Sequence, residues 1–151
     1  MSTRSTYRFR KTYEYEGKRY TKNLALVYVY MDGYPSGHPV NTADWLAGGK
    51  VVNGISLAET AKVVFNGAGC LAAQFIAAHK DGAGGLYMQE MKSRGNCGED
   101  YLYDVIVDED TKAITFAAYE NGWGKVRTKK LYSGTPQGFV KWVTNVYNKQ
   151  K

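Results

Sequence analysis

Cysteine, histidine and proline are all scarce in this chain: 151 residues contain two cysteines (Cys70, Cys97), two histidines (His38, His79) and three prolines. There is no apolar run of membrane-spanning length and no hydrophobic leader pattern. A domain of this size buries roughly 70% of the surface its unfolded chain exposes, so it needs no disulfide staple. These features predict one soluble domain over residues 1–151, in a reducing cytoplasm, with both thiols free. The two histidines are far apart in sequence and no Cys-x-x-Cys pair exists, so no metal site is expected. No cofactor fingerprint is present either, and the absence of paired His-x-Thr/Ser elements argues against a catalytic acid and base in one pocket.

Negative charge is lacking at both ends. Residues 1–23 hold seven Lys or Arg against Glu14 and Glu16, and residues 121–151 hold seven Lys or Arg and no acid. If both segments lie on one side of the fold, they form a surface suited to phosphates; otherwise they solvate the protein. The carboxylates Glu99, Asp100, Asp104, Asp108, Glu109 and Asp110 read as a solvated acidic stretch.

Tyr7, Phe9, Tyr13 and Tyr15 alternate with Arg8, Arg10, Thr12 and Glu14, the period of a half-buried strand. Gly17 supplies a turn into the nearly continuous apolar run of residues 24–31, which suits a strand covered on both faces, so residues 7–31 read as an antiparallel hairpin. Helices are expected over 42–46, over 56–64 from a Ser56/Glu59 capping box, and over 68–80 from the spacing of Ala68, Leu71, Ala72, Phe75, Ile76 and His79. Strands follow at 86–92, 101–108, 112–120 and 126–132. Thr135 as N-cap and Pro136 in the first turn then open a last helix. The fold class is α+β: a mainly antiparallel sheet with two to four helices on one face.

The segment VYVYMDGYPSGHP, residues 28–40, ends a core-like strand in a cluster of turn formers. Either it is an exit turn, or Pro35 and Pro39 stiffen a loop that presents Asp32, Tyr34, Ser36 and His38 to a ligand. Asn66, Gly67 and Gly69 lead into the third helix, where backbone amides could receive a phosphate, although the P-loop spacing is absent; Gln74 could add an amide. Cys70 at that helix start invites a nucleophile reading, for which only His38 or His79 could act as base. Tyrosines interleaved with arginines in the hairpin also allow a base-stacking platform, without an RNA-recognition signature.

The opening MSTRS, the DGYPSG segment, VVNGIS, NGAGCLAAQF and EDYLYDVIV resemble a family of small bacteriophage and prophage proteins with an N-terminal Thr-Arg-Ser and an Asp-Gly-Tyr-Pro motif. Tyr30-Met31 stands where that family carries His-Trp. The resemblance brings no settled activity; it implies a phage accessory protein acting in the host cytoplasm. Acidic DNA mimicry does not suit the basic termini. The expectation is a binder, without catalysis, that sequesters a cyclic nucleotide or ADP-ribose derivative. Arg4 would meet phosphate, Tyr34 or Trp45 would stack on a base, and a homo-oligomer would help enclose the ligand. The alternative is a phage protein that binds nucleic acid or a host protein.

Overall fold

The alternation of Tyr7 and Phe9 with Arg8 and Arg10 does build a strand, and that strand lies in the middle of a sheet. The computed structural model describes residues 2–54, 63–123 and 126–150. Strands β1 (Ser5–Tyr15) and β2 (Lys18–Val29) form the expected hairpin, and α1 (His38–Ala47), β3 (Lys50–Val52), β4 (Val64–Asn66) and α2 (Gly67–His79) follow. Then come β5 (Leu86–Gln89), β6 (Tyr101–Asp108), β7 (Ile114–Glu120), β8 (Lys129–Gly134) and α3 (Pro136–Trp142). The main sheet has six strands in the order β5-β2-β1-β6-β7-β8, and β3 pairs with β4 in a small ribbon.

The sheet is mixed, with one parallel pair. β1 runs parallel to β6, Tyr7 beside Tyr103 and Phe9 beside Val105, while its other neighbouring pairs are antiparallel. Parallel pairs favour burial on both faces, and β6 is the most buried strand of the sheet. One face carries Tyr7, Phe9, Val27, Tyr103, Val105, Phe116 and Ala118, all buried in a single core with Leu71 and Phe75 of α2 and Phe139 of α3. The helices cover that face, giving the α+β architecture. Thr135 caps α3, its Oγ1 accepting Gly138 N–H at 3.0 Å, and Pro136 takes the first turn.

Several local expectations are corrected. Helix α1 begins at His38 rather than Thr42, because Pro39 occupies its first turn, where no backbone donor is required. Residues 24–31 are not covered on both faces: only Leu26 and Val27 are buried, while Leu24, Tyr30 and Met31 are exposed, since β2 has the short strand β5 as its outer neighbour. Strands β5 and β7 are shorter than expected, and β8 starts at Lys129. The helix expected over 56–64 falls largely outside the described residues, and its last position, Val64, opens β4.

The segment between β2 and α1 is a tight, pinned turn. Asp32 takes a left-handed φ of 55°, His38 N–H donates to the Asp32 carbonyl at 3.0 Å and Gly37 N–H to that of Tyr34 at 2.8 Å. A Cβ on Gly37 would sit 2.1 Å from the Asp32 carbonyl oxygen. Gly37→Ala should therefore cost about 1–3 kcal/mol, the range for overpacking against atoms that cannot move aside; urea unfolding will measure it.

Candidate functional site

Two buried tyrosines position the turn. Tyr103 and Tyr7 are both fully buried, and a buried phenol hydroxyl must find a partner. Tyr103 donates to the Gly33 carbonyl at 2.7 Å, and the Tyr7 hydroxyl meets His38 Nδ1 at 2.8 Å. His38 Nε2 lies 3.3 Å from Ser5 Oγ. A neutral imidazole satisfies both contacts by accepting at Nδ1 and donating at Nε2. Burial, and secondarily the nearby His79, push the His38 pKa down to about 4, so the ring is neutral at physiological pH.

His38 opens onto a cleft of about 270 Å³ between the end of α2 and the β2/β5 edge, lined by Val29, Met31, Asp32, His38, Phe75, His79, Asp81, Gly84, Gly85 and Leu86. The turn, the helix and the glycine-rich link to β5 therefore converge. His79 donates Nδ1–H to the Phe75 carbonyl at 2.7 Å, which leaves its Nε2 as an acceptor. Its ring packs on Phe75 at 4.3 Å and meets Trp45 edge-on at 5.7 Å. The floor is aromatic and aliphatic, and Asp32 and Asp81 supply its acid groups. Among the described residues no Lys or Arg lines the cleft; Lys80, next to the rim, spends its ammonium on the Gly84 and Leu86 carbonyls. Two more open hollows of about 390 and 410 Å³ lie elsewhere and contain neither histidine.

Of the residues singled out in the sequence, Asp32 and His38 line the cleft. Trp45 and Gln74 share a small hollow of about 180 Å³ with Ala77 and Ala78, behind the His79 wall. Tyr34 and Ser36 are half-buried in the turn. Asn66 is remote: its Oδ1 accepts Gly54 N–H at 2.8 Å and ties the end of β4 to the end of β3. Arg4 belongs to the opposite face of the sheet, where its guanidinium lies by Gly98 and acts on the Tyr28 phenol.

The start of α2, a candidate for receiving a phosphate, already faces a carboxylate. Glu109 Oε1 accepts Ala68 N–H at 3.4 Å, and both its oxygens border Gly67. Cys70 donates Sγ–H to Gln74 at 3.0 Å; His79 stands nine residues further along the helix, about 13 Å away in rise, so it is no base for this thiol. Among the described residues, no group of three or more His, Cys, Asp or Glu is placed to hold a metal. Sequence reasoning missed the meeting of His38 with His79. The available signal was His79 at the end of the Phe75 helical stripe, two residues before the glycine-rich DGAGG segment.

The acidic stretch also needs correction, because Glu99 and Asp104 are buried. Residues 91–100 fold over the open face of the sheet. Glu99 accepts from Thr6 Oγ1 at 3.0 Å, Gly95 N–H at 3.0 Å, and Cys97 N–H and Sγ–H at 3.1 and 3.0 Å. Burial first, and then that carboxylate, push the Cys97 thiol up to about 12. Asn121 clamps the same loop through the Gly95 and Glu99 carbonyls.

Compared with known proteins, the chain matches no family model, no curated protein and no solved structure.

The neutral His38 has a pH signature. The unfolded ring takes up a proton near its ordinary pKa of 6.5 and the folded ring only near 4, so its contribution to stability is complete above 6.5 and is lost as pH falls towards 4. Between about pH 7 and pH 4.5 wild type should lose about 2.5 kcal/mol more than His38→Gln, as read by urea unfolding at the two pH values.

Proposed function

We propose that this protein is a binder, without catalysis, of a small nucleotide-type signal, which it sequesters by enclosing the base and ribose in the His38/His79 cleft. The observation that carries this reading is the convergence of a neutral histidine, a histidine with an open acceptor nitrogen and two carboxylates on an apolar, aromatic floor. Such a combination of flat apolar surface with a few directed polar groups suits a heteroaromatic ring with exocyclic amines and a sugar with hydroxyls. The cleft volume of about 270 Å³ falls at the small end of ligand pockets, which run from about 300 to 1,000 Å³. It accommodates one nucleoside rather than a whole cyclic dinucleotide.

Electrostatics refine the ligand. With Asp32 and Asp81 at the cleft and no Lys or Arg lining it among the described residues, the phosphates of such a signal would project outward. This favours an ADP-ribose derivative held by one nucleoside over a compact cyclic nucleotide. Tyr30, Met31 and Met88 are exposed beside the cleft, and a second copy of the chain covering them would close the mouth. The resemblance to phage accessory proteins supplies the setting, sequestration of a host signal in the host cytoplasm.

The test is a thermal-shift panel of adenosine, NAD, ADP-ribose and cyclic ADP-ribose isomers, with the ligand recovered afterwards. A ligand present at one hundred times its Kd should stabilise the fold by about 2.7 kcal/mol and be recovered unchanged. His79→Gln, which leaves Nδ1-like donation possible but moves the acceptor, should weaken it about tenfold. Recovery of a cleaved ligand would make the protein an enzyme, and silence across the whole panel would remove the nucleotide reading.

A further inference from the structure

We infer that the sheet face away from the helices carries a separate binding site for a phosphate group, formed by Arg8, Arg10 and Arg94. Arg8 and Arg10 alternate on β1 and so project from the same face, about 6.7 Å apart along the strand. Across the parallel pairing they sit beside Asp104 and Ile106 of β6. Asp104 is 1% exposed and accepts Arg8 Nε and Nη2 at 2.9 and 2.7 Å and Arg94 Nη2 at 3.2 Å. A single buried carboxylate thus holds two guanidiniums in fixed orientation, and Arg94 also lies over the Tyr119 ring at 5.5 Å.

Arg10 is the unbalanced member. Its Nε donates to Asn23 Oδ1 at 2.8 Å, and among the described residues no carboxylate pairs with it. Its pKa is lowered, first by partial burial and then by the positive charge of Arg8, with Arg94 adding to the effect. Glu99 turns its oxygens to the neutral donors of its own loop, and Asp108 pairs with Arg19. Three guanidiniums lie around the single carboxylate of Asp104, which leaves an excess of positive charge at a place where donors are already oriented.

That excess selects the ligand. A phosphate monoester is a tetrahedral dianion with acceptors on several sides, which forked guanidiniums approach from more than one direction. A carboxylate offers one charge and one planar edge. The phosphate could come from a free nucleotide or from the 5′-phosphate at the end of a nucleic-acid strand, and both present the same monoester; the internal diesters of a strand carry one charge each. This site lies across the sheet from the cleft and does not depend on the reading of the cleft.

The experiment titrates the full chain with inorganic phosphate, which has no base to enter the cleft, and with adenosine 5′-monophosphate, by NMR and calorimetry. A labelled single-stranded oligonucleotide is titrated in parallel. Arg10 is a surface residue, so Arg10→Gln should melt with wild type while losing about tenfold or more in phosphate affinity. Adenosine without phosphate should not distinguish the two proteins. If the source is a strand end, the oligonucleotide carrying a 5′-phosphate will displace inorganic phosphate and the same strand without it will not; if it is a free monoester, only the mononucleotide will compete. Failure of wild type to bind any phosphate probe, or equal binding by Arg10→Gln, overturns the inference.

Discussion

Two phenol hydroxyls, buried side by side on the parallel β1/β6 pair of the main sheet, constrain much of what surrounds them. Tyr7 and Tyr103 bring large apolar rings to the centre of the core, where Phe75, Phe116 and Phe139 pack against them. Each ring also carries a polar atom that cannot be left alone in that environment. The Gly33 carbonyl answers one and His38 answers the other. The turn after β2 is held against the sheet by the needs of the core itself. A binding wall made in this way is preorganised, because the groups that fix it would be destabilised by its departure.

The two faces of the sheet divide the chemistry. The helical side offers a cleft with acids and neutral imidazole, while the open side gathers guanidiniums around one buried carboxylate. Alternation along β1 produces this division directly, since Tyr7 and Phe9 point one way and Arg8 and Arg10 the other. The basic residues of the two terminal regions are divided between the layers: Arg8 and Arg10 lie on the open face, and Lys141 belongs to α3 in the helical layer. Formal net charge alone described neither surface.

Local patterns in the sequence revealed local structure. The β1/β2 hairpin was legible because Glu16 and Gly17 separate two strands and both adopt left-handed φ, and the helical stripe around Phe75 marked α2. What remained hidden depended on partners distant in the chain. Nothing in residues 5–15 announces that 101–108 will lie parallel beside them. His38 and His79 belong to different helices, and their approach follows from how both helices lie on the sheet. Pro39 was read as a loop stiffener because proline suits a loop and a first helical turn equally. Glu99 and Asp104 looked solvated because an acid-rich stretch usually is; their burial rests on donors supplied by Thr6, Arg8 and Arg94.

The pairing of β1 with β6 also governs how the fold is reached. Ser5 pairs with Tyr101, so the centre of the sheet closes a loop of most of the chain before any of its contacts can reward that closure. During synthesis the β1/β2 hairpin exists without its inner neighbour until β6 emerges, with one long edge of β1 unpaired. Such an edge is an aggregation hazard. The arginines and lysines spaced along β1 and β2 act there as gatekeepers, keeping the waiting hairpin apart from its copies until the strand that belongs beside it arrives.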